Sequence, residues 1–180
     1  AFVLRAINNH FSENGFERNS LSFRKMVSVE DESFLLEFWI PYNRGSTEST
    51  VEQEEMTITH CHGAILVYDI SSRKSLDYVA ALYRKILLLR DPLKLPTIIV
   101  GTKKDLNVTR QVSQEEGQEI ATNLGNLIHF EVSAKTGDLV LDAVVEITRQ
   151  MKDFEYPLQP EPKVIPKKKK KKTSRTCCVY

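Results

Sequence analysis

Gly101-Thr102-Lys103-Lys104-Asp105 closes the apolar run at 97–100, and Ser133-Ala134-Lys135 closes the next one, at 128–132. Each run is short, apolar and rich in β-branched or aromatic residues, which marks a strand buried on both faces. A third such run lies upstream at 64–68, and stretches of helical period fall at about 75–89, 113–124 and 139–151. Strand followed by helix, three times over, predicts a parallel sheet with helical crossovers. In such a sheet, ligands bind in the crevice beyond the carboxyl ends of the strands, and both polar loops sit there.

Other local signals fix the remaining elements. Ser113-Gln114-Glu115-Glu116 is a capping box: the Ser113 hydroxyl covers orphan N–H groups while Glu116 reaches back, so the second crossover helix starts there. Residues 22–29 and 33–39 read as a hairpin around Glu30-Asp31-Glu32, and 2–11 as a helix. After Met151 the composition shifts to Pro157, Pro160, Pro162, Pro166 and six lysines at 167–172, which bury nothing and repel one another. The chain therefore divides into a domain at 1–154 and a disordered tail at 155–180.

The chemistry of the two loops is specific. A carboxylate such as Asp105 accepts two hydrogen bonds from a planar N–H pair, which guanine offers and adenine does not, and the stem of Lys103 can lie across a purine face. Thr102 completes this loop, while the tight turn at Ser133, Ala134 and Lys135 aims backbone N–H groups at a base carbonyl in the same crevice. Gly-[Asn/Thr]-Lys-x-Asp about thirty residues before Ser-Ala-Lys resembles the guanine-recognition half of the Ras-like small GTPase superfamily, on its Ras and Rheb branch. Thr102 stands where most Ras proteins have Asn, a change the Rho branch shares. The resemblance covers roughly residues 1–152. It implies a three-layer α/β G domain with a mostly parallel sheet, GTP or GDP as ligand with Mg²⁺, and Phe11, after Asn8-Asn9-His10, stacking edge-on to the guanine.

The same resemblance exposes departures. No Gly-x-x-x-x-Gly-Lys-[Ser/Thr] phosphate loop occurs. The match at Asn9-His10-Phe11 puts Ala1 just after that loop, so the loop and the first, central strand are expected upstream of the residues given. Loss of a central strand leaves two rows of unpaired N–H and C=O groups, each costing ~1–3 kcal/mol if buried unsatisfied. Against a total stability of ~5–15 kcal/mol, the chain as written is expected to be unstable alone. Arg18 falls where the family has its Mg²⁺-binding switch threonine. Ile40-Pro41-Tyr42-Asn43-Arg44-Gly45 stands in place of Asp-x-x-Gly-Gln. No catalytic residue and no Mg²⁺ ligand is identified, and hydrolysis is expected to be slow or absent.

Composition sets the rest. Residues 155–180 hold eight basic and two acidic side chains, leaving seventeen basic and twenty-two acidic in 1–154: a tail of +6 on a body of −5. No run spans a bilayer, no secretory signal opens the chain, and three cysteines give no disulfide framework, so a reducing compartment fits. Cys177-Cys178-Val179-Tyr180 has the Cys-a-a-X layout of a prenylation signal, with Cys177 the acceptor and Cys178 open to a second lipid or none. A lone polylysine reads equally well as a nucleic-acid or nuclear-localisation tail; the cysteines turn it toward an anionic membrane. His60-Cys61-His62 is read as a strand segment with Cys61 facing away from both imidazoles, and so as no zinc site. The expectation is a Ras-like guanine-nucleotide-binding signalling protein on the cytoplasmic face of a membrane, the plasma membrane first. Effectors would meet the segment bounded by Ser12 and Arg24, and no specific nucleic acid is a partner. The rival is a pseudo-GTPase interaction module that binds no nucleotide.

Overall fold

The computed structural model describes residues 1–12, 22–40, 49–91, 94–154 and 173–180. Six strands form one sheet: β1 (Ser22–Val29), β2 (Glu32–Trp39), β3 (Gly63–Asp69), β4 (Thr97–Thr102), β5 (Ile128–Glu131) and β6 (Thr173–Val179). Their order is β1-β2-β6-β3-β4-β5, and every neighbouring pair is parallel except the β1–β2 hairpin. Among the described residues five α-helices cover it: α1 (Phe2–Asn8), α2 (Ser49–His60), α3 (Arg73–Arg90), α4 (Gln114–Asn123) and α5 (Val140–Asp153).

The sheet separates two cores. One face packs Phe34, Leu36, Phe38, Ile65 and Val100 against α1 and α5. Helix α5 supplies Val140, Ala143, Val144, Ile147 and Met151, spaced to fall along one stripe. The other face packs Ala64, Leu66, Tyr68 and Ile99 against Leu76, Val79 and Ile86 of α3, with α2 and α4 beside it. The capping box is present: Ser113 Oγ accepts from Glu116 N at 3.1 Å, and Ser113 N donates to Glu116 Oε2 at 2.9 Å. Helix α2 carries no strong periodic signal, and among its described side chains only Ile58 is fully buried.

The central position differs from the sequence reading. The slot between β2 and β3, expected to be empty, holds β6 from the tail read as disordered. Cys177 pairs with Phe38 on one side and Gly63 on the other, and Cys178 with Trp39 and Ala64. The His62 amide donates to Thr176 O, and the Val67 amide to Tyr180 O. The two rows of backbone groups expected to be orphaned thus have partners, which removes the physical ground for expecting instability. Lysines carry the disorder signal at 167–172, whereas Thr173-Ser174-Arg175-Thr176-Cys177-Cys178-Val179 is β-branched and sulfur-rich enough to pair. His60 ends α2 and Cys61 and His62 lie in the turn to β3, so this triplet is not the strand segment expected.

Candidate functional site

A cleft of about 670 Å³ opens at the carboxyl ends of the parallel strands. Ile40 reaches it from β2, Val179 and Tyr180 from β6, and Val67 from β3. Thr102, Lys103, Asp105 and Leu106 line it after β4, and Ala134 and Lys135 after β5; Ala1 to Val3, Phe11 and Ser12 close the remaining side. Six of the seven sequence-predicted base-site residues therefore line one space, and the seventh, Ser133, stands directly behind it.

Ser133 is 1% exposed, and its hydroxyl donates to Asp105 Oδ1 at 2.6 Å. One carboxylate oxygen is thereby fixed to the β5 loop, and the other remains for a ligand in the cleft. The Thr102 hydroxyl donates to Tyr68 O at 2.8 Å, which ties the end of β4 to β3. Lys103 sits in the left-handed region at φ 67°, a conformation that side chains seldom adopt, and its ammonium pairs with Asp69 Oδ2 at 2.6 Å. Burial raises the Asp69 carboxyl, but hydrogen bonds from Lys103 and Ser71 outweigh it and hold the group below its ordinary range. The Lys104 amide donates to Val132 O at 3.1 Å, so the two loops are joined through the backbone as well.

Two supports were not legible in the sequence. Arg5, on α1, donates from Nε to Ala134 O and from a terminal nitrogen to Lys135 O, clamping the turn after β5 from outside. An arginine on a short helix carries no signal of such a partner 129 residues away. Arg110 grips the 5%-exposed Glu131 at 2.5 and 2.8 Å, and this two-pronged pair secures the end of β5 to the segment after β4. Beneath them, Tyr68 OH meets His129 Nε2 at 2.9 Å with the rings stacked. Burial pushes the tyrosine up and the histidine down from their ordinary values.

The whole arrangement is a fixed carboxylate, a lysine stem and a backbone turn lining one cleft. Residues 1–153 match the sequence profile of the Ras family. The chain belongs to the Ras family. It is similar to three Ras-like proteins of Dictyostelium discoideum. These are rasZ, 32% identical over 88% of this chain and 72% of that one, rasX, 32% over 84% and 70%, and rasW, 33% over 90% and 73%. Membership carries the Ras-like small GTPase fold and, as a family property, guanine nucleotide and protein effectors as ligands.

For the guanine end of a nucleotide, this Ras-family chain has fitting residues in place: Asp105, Lys103, Ala134 and Phe11 share the cleft. Metal is different. Among the described residues no group of three or more His, Cys, Asp or Glu side chains is placed to hold an ion. Arg18 and residues 41–45, where the sequence departs from the family's switch residues, lie outside the described residues, as does most of the segment bounded by Ser12 and Arg24. Cys177, read as a lipid acceptor, is fully buried in β6, as is Cys178.

Proposed function

We propose that this chain is a Ras-like guanine-nucleotide-binding signalling protein with weak or absent GTP hydrolysis. The observation that supports it most directly is the Ser133–Asp105 hydrogen bond, because it presets a base-selective carboxylate in a cleft that Lys103, Ala134 and Phe11 also line. Asp105 accepts from the guanine N–H pair, the Ala134 to Lys135 turn meets the base carbonyl, the Lys103 stem lies across the ring and Phe11 meets it edge-on. A bound GTP supplies the phosphates, and no residue described here is assigned to their hydrolysis.

Membrane attachment belongs to the same reading: a lipid on Cys177, with the lysines at 167–172 supplying the second, electrostatic contact with an anionic cytoplasmic leaflet. Lipid transfer needs the thiol outside the sheet, so it acts on a chain whose β6 is withdrawn. A second reading, an interaction module without nucleotide control, is favoured by Val179 and Tyr180, which stand inside the same cleft.

Binding of fluorescent GDP and GTP, with and without Mg²⁺, separates the two. Saturable binding at micromolar nucleotide, displaced by guanine and not adenine nucleotides, is expected. No binding at that concentration overturns the first reading.

A further inference from the structure

Successive side chains on a strand point to opposite faces. The two adjacent cysteines of β6 are therefore divided between the cores: Cys177 joins Phe38, Ile65 and Ile147, and Cys178 joins Leu66, Ile58 and Cys61. Cys61 lies just beyond α2 in the turn to β3, and Ala64, three residues on, is the register partner of Cys178. Both thiols aim at the last turn of α2, Cys61 Sγ at Ile58 O, 3.5 Å away, and Cys178 Sγ at Thr57 O, 3.7 Å away. Both thiols belong to the same buried core. All three cysteines are free thiols.

We propose that Cys61 and Cys178 form a reversible disulfide that fastens β6 into the centre of the sheet. The reaction partner is a peroxide. The Cys61 sulfur attacks a peroxide oxygen, the O–O bond breaks, and one water leaves as Cys61 becomes a sulfenic acid. The Cys178 sulfur then attacks the Cys61 sulfur and expels the second water. Two thiols lose two electrons and two protons, and one hydrogen peroxide is reduced to two waters.

The partners divide the roles unequally. The neighbouring Cys178 thiol holds the Cys61 thiol below its ordinary value, while burial pushes Cys178 up. Cys61 is thus the attacking sulfur and Cys178 the resolving one. Cys61 keeps 2% of its surface exposed just beyond the end of α2, and helix ends open more readily than helix middles. Cys177 is excluded as a partner because it faces the opposite core. Once formed, the bond closes a loop of most of the chain and keeps β6, with Cys177, inside the sheet.

The test uses the full chain, reduced and then treated with hydrogen peroxide, blocked with iodoacetamide, digested and mapped by tandem mass spectrometry. The expected result is a cross-linked peptide about 2 Da lighter than its reduced parts, joining Cys61 to Cys178, with Cys177 alkylated and the bond reversed by dithiothreitol. The oxidised chain should melt roughly 10 °C above the reduced one. Cys177→Ser should leave the cross-link intact, and Cys61→Ala should abolish it. Three alkylated thiols in the peroxide-treated wild-type chain, or a bond that involves Cys177 or a second molecule, overturn the proposal. The wild-type map decides this even if a variant fails to fold.

Discussion

Deleting residues 173–180 should abolish cooperative folding. Strand β6 contributes two fully buried side chains, Cys177 and Cys178, and Val179 at 6% exposure, together worth about 5 kcal/mol of burial. Its backbone is in register with β2 over six positions and with β3 over three. At a net ~1 kcal/mol or less for each ladder hydrogen bond, that adds a similar amount. The loss, about 10 kcal/mol, matches the whole stability of an ordinary domain, ~5–15 kcal/mol. Thermal melts followed by circular dichroism, for 1–172 beside the full chain, are the direct assay. The shortened chain should show a broad, non-cooperative transition and bind a hydrophobic dye. A synthetic peptide of residues 173–180 added in excess should restore a sharp melt. Cys177→Pro, which removes an N–H from a central strand, should behave like the deletion. A shortened chain that melts cooperatively within a few degrees of the full one would refute the assignment of β6 to the sheet.

Asp105→Asn should weaken guanine nucleotide and favour xanthine, whose carbonyl accepts from the new amide; unchanged selectivity in competition binding would sink the base assignment. Gly117→Ala should destabilise by about 1–3 kcal/mol in urea titration, since the added Cβ would lie 2.4 Å from Tyr68 Oη and 2.7 Å from His129 Cε1. Stability should also fall as pH drops below about 6.5, the ordinary histidine value. Burial lowers both His62 and His129 in the folded state, so the unfolded chain binds protons first. A urea midpoint unchanged between pH 7.5 and pH 5 would contradict this, and the lowered carboxylates Glu30, Asp69, Glu115 and Glu116 titrate below that window.

Local chemistry made most of the framework legible. Strand runs at 64–68, 97–100 and 128–132, the hairpin at Glu30-Asp31 and the capping box at Ser113 each carry their own signal, and all are present. The loops at 101–105 and 133–135 were legible as polar strand ends resembling a family motif, and they meet at one cleft. What escaped reading depends on distant partners. Arg5 holds a turn at Ala134, Lys103 pairs back to Asp69, and β6 finds its neighbours in strands it follows by most of the chain. Composition pointed the wrong way for β6, because six lysines next to a pairing segment dominate any window that contains both. Helix α2 was missed for the opposite reason, since it buries too little to leave a stripe.

The place of β6 also sets an order of events. Strands β1 and β2 and strands β3 to β5 can assemble as they leave the ribosome, but within the sheet the two groups are bridged by a segment made after them. Until residues 173–179 are synthesised, β2 and β3 each present an open edge inside a half-built sheet, the kind of surface that chaperones cover and neighbouring chains capture. Closing it joins positions far apart in sequence, which is slow. This late-made strand thus acts as a keystone, and a nascent chain stalled short of it is the form most exposed to aggregation.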